Sequence, residues 1–334
     1  MLLRIIKSAL LFTAVVFLFL SSWLSFEFYS IPREPQRTLL VNVQKGQSAK
    51  NIAENLKKQG IIKKTWPFLV GYKILFSPKS LKAGEYVFAL PLSTNEVLDI
   101  LMEGRIYLRP VTIPEGLTRE EIASHLQSLS ITSTEDFLKS SADPSLISSL
   151  DKKAGDLEGY LFPETYHFPK AIQAPEIVSS MLDQFQEIFN KKWIKRADAL
   201  GMTVRDVVIL ASLIEEETSH PEERKLVSAV FHNRLKIGMK LDCDPTIIYI
   251  LKKEKKYKNR LRSKDLKFDS PFNTYLNPGL PPGPISSPGR DSLEAALYPA
   301  EQDFLYFVSK NDGSHHFSRT FREHQLAVIK YQKK

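Results

Sequence analysis

The chain has 334 residues, 46 Lys+Arg against 38 Asp+Glu, a formal net charge of +8, and is 43% hydrophobic and 25% charged with a single Cys. That apolar content excludes a disordered chain, and one cysteine excludes a disulfide scaffold or a Cys-rich zinc module. At roughly 150 residues per domain the length calls for about two folded domains; the modest basic excess permits attraction to an acidic polymer or membrane surface without identifying one.

Residues 8–26 (SALLFTAVVFLFLSSWLSF) form an uncharged run of 19. As a helix this run extends about 28 Å, close to the ~30 Å hydrocarbon core of a bilayer. Arg4 and Lys7 precede it and Glu27 follows. The positive-inside rule therefore predicts a cytoplasmic tail at 1–7, a single transmembrane helix at 8–26 of the cell (inner) membrane, and an extracytoplasmic, periplasmic-side body. The competing reading is a cleaved signal peptide. It fits less well, because the run exceeds an ordinary signal core and SSWLSFEF holds no small-x-small cleavage site. A lone Cys243 accords with an oxidising compartment.

A linker at 27–37 leads into a repeat. VNVQKGQSAKNIAENL (41–56) is similar to VTIPEGLTREEIASHL (111–126), with Gly46/Gly116, Ser48/Thr118, Ile52/Ile122, Ala53/Ala123 and Leu56/Leu126 in register. Each copy reads as a short strand, a Gly turn and a helix opened by a hydroxyl N-cap, and Thr118 with Glu121 spells a capping box. AGEYVF (83–88) and EGYLFPETY (158–166) follow the two copies, and their aromatic and aliphatic positions predict strands. Two small α+β units related by duplication are expected at 38–105 and 106–174. Such a unit resembles the LysM module, which grips glycan chains. The alternative is that the units only space the second half from the membrane, since a fold does not establish binding.

Residues 175–334 read as a mostly helical domain with a small β element, so the fold class is α+β. Thr203 with Asp206 caps a helix through VVILASLIEEET. Ser219 with Glu222 spells a second capping box, Pro221 sits in the first turn of that helix, and Gly238 ends it. DSLEAALYPA predicts a short helix, DFLYFVSK a strand, and the tail an amphipathic helix. The stretch 252–267 holds 7 Lys and 2 Arg. Glu254 and Asp265 oppose them, Tyr257 is the one aromatic residue interleaved, and the compartment is wrong for nucleic acid, so it reads as a solvated loop.

The histidines make no metal pattern, and neither a phosphate loop nor a serine-hydrolase elbow is present, so no metal and no cofactor are expected. Carboxylate chemistry remains. At about 100° per residue, Glu217 falls in line with Leu210 and between Leu213 and Ile214, whereas Glu215 and Glu216 point away. A carboxyl against apolar walls has a raised pKa, which a general acid near neutral pH requires. The competing reading is a solvated helix end, and Val207 to Ile214 is apolar nearly all round. On the next helix Glu223, Leu226, Val230, Asn233, Arg234 and Ile237 share an arc of roughly 100°. Its polar groups either serve one another or line a cleft.

ASLIEEET, ERKLVSAVFHNRLKIGMKLDCDPTIIY and FNTYLNPGLPPGPISSPG closely resemble the motifs of the MltG (YceG-like) family of endolytic murein transglycosylases. So does the order of anchor, LysM-like segment, EGYLFPETY and catalytic domain. The resemblance covers essentially the whole chain. It implies Glu217, the Glu immediately before Thr218, as the catalytic residue, and Glu223, Asn233, Arg234, Asp244, Asn273 and Tyr275 as substrate-cleft residues. Cys243 departs from the family pattern, which commonly has a polar residue there. The implied reaction is cleavage of the MurNAc-β-1,4-GlcNAc bond inside peptidoglycan strands with formation of 1,6-anhydro ends, ending glycan elongation beside peptidoglycan synthases. Two alternatives stay open: a lysozyme-like hydrolase using Glu217 and Asp244, and a non-catalytic LysM-type wall-binding scaffold.

Overall fold

The computed structural model describes residues 2–75 and 81–332. Met1 of the expected tail, residues 76–80 of the expected first unit and residues 333–334 lie outside them. The described residues form a mixed α+β fold with thirteen α-helices and three two-stranded sheets. The chain divides into two compact units: one comprises residues up to Pro110 plus His167–Ala171, the other Val111–Tyr166 and Ile172 onward.

The first unit opens with α1 (Leu2–Tyr29), followed by β1 (Arg37–Val43), α2 (Ala49–Lys58), α3 (Thr65–Leu75), β2 (Gly84–Leu90) and α4 (Thr94–Glu103). Among the described residues α1 is the one helix long and apolar enough to cross a membrane. Its apolar residues through Leu20 are exposed to the surroundings, as in a helix that needs another solvent. β1 and β2 pair antiparallel from Arg37 opposite Leu90 to Val43 opposite Gly84. Alternation along both strands delivers Val41, Val43, Tyr86 and Phe88 to one core, where they meet Ile52 and Leu56 of α2 and Leu98 and Leu101 of α4. Ser48 accepts a hydrogen bond from the Asn51 N–H, and Ser93 forms a capping box with Glu96, so both polar starts are satisfied locally.

Strands β3 (Arg109–Thr112) and β4 (Thr165–Phe168) pair, and between them lie α5 (Arg119–Ser128) and α6 (Thr134–Ser140). Then come α7 (Ala174–Ile188), α8 (Lys191–Ala199), α9 (Val204–Glu217), α10 (Pro221–Lys236), α11 (Asp244–Lys253), α12 (Arg290–Leu297), β5 (Tyr306–Ser309), β6 (His315–Ser318) and α13 (Phe321–Gln332). α9 is the hub: Val207 through Ile214 are all buried, and α8, α10, α11 and α12 pack around it. A helix apolar on every side belongs inside a core, which is what its sequence dictates. Thr203 and Asp206 form the expected capping box.

Two expectations differ from the structure. EGYLFPETY is a strand only from Thr165 onward. Gly159 has φ +81°, and Tyr160, Leu161 and Phe162 are buried consecutively rather than alternately, as in a looped segment feeding a core. The Ser219–Glu222 box is not formed. α10 starts one residue later, at N-cap His220 without a side-chain cap bond, with Pro221 at the first helical position. Thr218 Oγ1 accepts from the His220 N–H instead (3.1 Å).

Candidate active site

Because α9 is enclosed along its length, the three acids of its last turn leave it into three separate surroundings. Glu215 goes inward. Its carboxyl accepts from Arg224 Nη2 at 3.0 Å and from the Gly289 N–H at 2.9 Å. Glu215 is 7% exposed and Arg224 9%, and Arg224 also reaches Glu115 and Asp291, each at 3.3 Å. This is a clasp joining α9, α10, the start of α12 and the turn before α5. Sequence geometry anticipated that Glu215 points away from the Glu217 line; the buried arginine waiting there left no mark in the sequence.

Glu216 presents much of its surface to solvent, yet its carboxyl lies against the Gly116 turn, where a Cβ on Gly116 would come within 2.9 Å of Oε1. Burial pushes this carboxyl up to about 7; Lys252 opposes the shift and Glu121 adds to it. Glu217 points toward the start of α11. Burial pushes its carboxyl up to about 7 as well; a hydrogen bond from Cys243 lowers it, the charges of Asp244 and Glu216 raise it, and Arg234 lowers it. The Cys243 thiol is buried and held far above its ordinary range by that burial and by Glu217. It is therefore a neutral donor to the carboxyl rather than a nucleophile.

Asp244 is the first residue of α11 and is exposed. It accepts a 2.7 Å hydrogen bond from the Tyr275 hydroxyl, and burial together with this carboxylate raises the Tyr275 pKa. The Pro/Gly-dense stretch that carries Tyr275 is pinned by amides. Asn273, fully buried, donates both Nδ2 hydrogens to the carbonyls of Leu266 (3.0 Å) and Phe268 (2.8 Å) and accepts from the Tyr275 N–H (2.9 Å). Thr274 Oγ1 accepts from the Cys243 N–H at 3.0 Å, tying the stretch to α11. Each such bond contributes about 1 kcal/mol and, more to the point, leaves no buried polar group unpaired.

The polar arc of α10 is matched to the β5–β6 hairpin. Asn233 Nδ2 donates to Gln302 O and Phe304 O. Arg234 Nε donates to Leu305 O at 2.7 Å, its Nη1 donates to Leu241 O at 2.8 Å, and its guanidinium lies over the Tyr306 ring. Glu223 accepts from the His315 N–H (2.9 Å) and contacts His315 Nδ1 (2.7 Å). Burial works to raise the Glu223 pKa, but the His315 bonds and the Thr218 hydroxyl hold it below the usual range. The structure thus brings Asp244, hydrogen-bonded to Tyr275, near Glu217, with Arg234 near enough to act on Glu217 by its charge. Asn233, Asn273 and Glu223 bind backbone groups or His315. Reading the sequence missed Arg224 and His315, whose partners lie 9 and 92 residues away, and Glu158. Glu158 is held in an apolar run, and the run YLF beside it was the available signal.

Similarity to known proteins extends along most of the chain. The model of the YceG-like family matches residues 41–330. The endolytic murein transglycosylase of Bacillus subtilis (strain 168) is 34% identical over 90% of this chain and 87% of its own length. That of Streptococcus pneumoniae serotype 2 is 30% identical over 90% of this chain, which spans only 60% of the pneumococcal protein. A crystal structure of a yceG-like protein from Listeria monocytogenes aligns with a TM-score of 0.59 at 32% identity, covering 88% of this chain and all of that one. An acid-bearing buried helix, the loop pinned across its end and likeness along nearly the whole length make this chain a member of the YceG-like family.

Proposed function

We propose that this protein is a membrane-anchored endolytic transglycosylase acting on the MurNAc-β-1,4-GlcNAc bonds of peptidoglycan strands. The observation that carries the reading is Glu217: a carboxyl brought up to about 7 by burial, at the C-terminal end of the central helix. Protonated, it donates to the glycosidic oxygen while positive charge develops at C1 of the muramyl sugar. Ionised, it then accepts the proton of that sugar's C6 hydroxyl, which closes on C1 to give a 1,6-anhydro end. No water is consumed. One carboxyl suffices because the intramolecular hydroxyl replaces activated water at a high effective concentration. Asp244 and Tyr275, hydrogen-bonded to each other near Glu217, are assigned to binding the sugar; Glu223, Asn233, Arg234 and Asn273 are assigned to holding the surrounding elements in place. The twofold strand–helix–helix–strand order supports LysM-like glycan contact by the first half. The apolar α1 supports anchoring, with the body outside the cytoplasm, where new strands and the synthases that make them are met.

A second reading, hydrolysis with Asp244 activating water, is favoured by the proximity of Asp244 to Glu217 and by its open position. Mass spectrometry of products released by the full-length protein separates the two, since hydrolysis products are one water heavier than anhydro ends. Glu217→Gln is expected to lower cleavage by about a thousandfold while the fold persists, the range of a lost general acid–base group. Wild-type cleavage is expected to decline as pH rises through about 7, where Glu217 loses the proton it must donate. Release of anhydro-muropeptides by Glu217→Gln at the wild-type rate rules the assignment out.

A further inference from the structure

α1 does not stop where the membrane would. Its apolar run continues without a break into a turn carrying Glu27 and Phe28, and Phe28 is 4% exposed, inside the core of the first unit. Gly71 on α3 makes that burial possible, because a Cβ there would lie 2.2 Å from the Phe28 ring. Close helix approach at a small residue is the usual way for two apolar helices to lock. Lys64 Nζ meets Glu27 at 2.5 Å, and the Trp23 and Trp66 rings stand 5.2 Å apart. α3 (TWPFLVGYKIL) carries one charged residue, Lys73, and its Ile74 is 68% exposed. Apolar surface of that kind beside a membrane helix has an obvious solvent.

With residues 8–26 in the bilayer, Trp23 falls at the outer headgroup level, where Trp and Tyr concentrate. Trp66, packed on Trp23, is held at the same depth. We propose that α3 is an interfacial helix, embedded through Trp66 and Ile74 in the headgroup–acyl boundary of the phospholipid bilayer that α1 spans. This rests on reading α1 as a transmembrane helix, and the continuity of α1 with the α3 contact is what selects lipid as the occupant. Lys63 and Lys64 already face Glu34 and Glu27, so the contact depends on apolar insertion and a zwitterionic bilayer suffices. The first unit is then fixed on the membrane surface rather than tethered above it.

The test uses the full chain in phosphatidylcholine vesicles containing lipid brominated either near the carbonyl or near the methyl end of its acyl chain. The three tryptophans are Trp23, Trp66 and Trp193, so W23F/W193F leaves Trp66 and W66F/W193F leaves Trp23. Trp66 emission is expected to fall about twofold with the shallow bromine and less with the deep one, as an interfacial indole should. Quenching of Trp23 with none of Trp66 overturns the proposal and leaves the anchor standing. Absence of quenching at both overturns the anchor and the proposal together. Ile74→Cys, labelled with an environment-sensitive fluorophore while Cys243 stays buried, gives a reading without touching a tryptophan. A blue shift on vesicle insertion supports the embedded helix, and emission as in water refutes it.

Discussion

Two stretches of this molecule share a local code and differ in what surrounds them. Residues 41–56 and 111–126 both run strand, left-handed glycine, hydroxyl cap and helix, with Gly46 at φ +81° and Gly116 at φ +78°. Around Gly46 there is open space. Around Gly116 there is machinery: its N–H donates to Ser287 O at 2.9 Å, Ser287 returns a bond to Leu117 O, and the carboxyl of Glu216 lies across it. Flanking acids are likewise engaged, Glu115 with Arg224 and Glu121 with Lys252 at 2.8 Å. The same turn is thus a simple corner in one stretch and a brace against the end of α9 in the other. Local sequence specifies the turn; only the partners decide what it is for.

The comparison is broken most severely at Arg224. Arg224→Ala leaves the buried Glu215 carboxylate without its cation, so a loss of about 3–5 kcal/mol is expected from denaturant unfolding of the full chain. A next, smaller effect comes from Glu158, which is 5% exposed and accepts from the Arg119 N–H at the start of α5. Burial pushes its pKa up to about 8 from the ordinary 4.5, with Glu120 adding to the shift. The folded state therefore holds a proton that the unfolded chain has lost between those values. Stability falls as pH rises from about 5 to about 8, by roughly 4 kcal/mol from this group, and is flat above that. Glu158→Gln should remove that slope, measured as thermal midpoint against pH; an unchanged slope would mean another group carries it. The smallest effect sharpens the contrast directly. Gly46→Ala should cost about 1 kcal/mol of backbone strain with cleavage unaffected. Gly116→Ala should cost about as much in strain and also slow cleavage several-fold, since its Cβ must displace Glu216. Equal activity in the two variants would dissolve the distinction between corner and brace.

Much of this arrangement was legible in the sequence where the cause is local. Caps at Ser48, Thr118 and Thr203 and the stop at Gly238 depend on residues within a turn or two, and each is found where expected. Legibility ended where a partner arrives from far along the chain. The α10 arc of Glu223, Asn233 and Arg234 read equally as a cleft or as a self-satisfied face, because most of its partners are backbone carbonyls and a histidine 69 to 92 residues away. EGYLFPETY misled for a different reason. Its spacing allowed a strand, but Gly159 and Pro163 bend it so that consecutive side chains enter the core.

The enclosure of α9 has one more consequence. Three identical residues in a row are told apart only by the angle at which each leaves the cylinder, so the helix works as an indexing wheel with three slots. Deleting any single residue between Val207 and Ile214 would turn the wheel by about 100°, setting Glu216 against Arg224, Glu217 against the Gly116 turn and Thr218 where Glu217 stands. Chemistry here is addressed by rotation, and the tight fit of an unremarkable aliphatic stretch is what keeps the address.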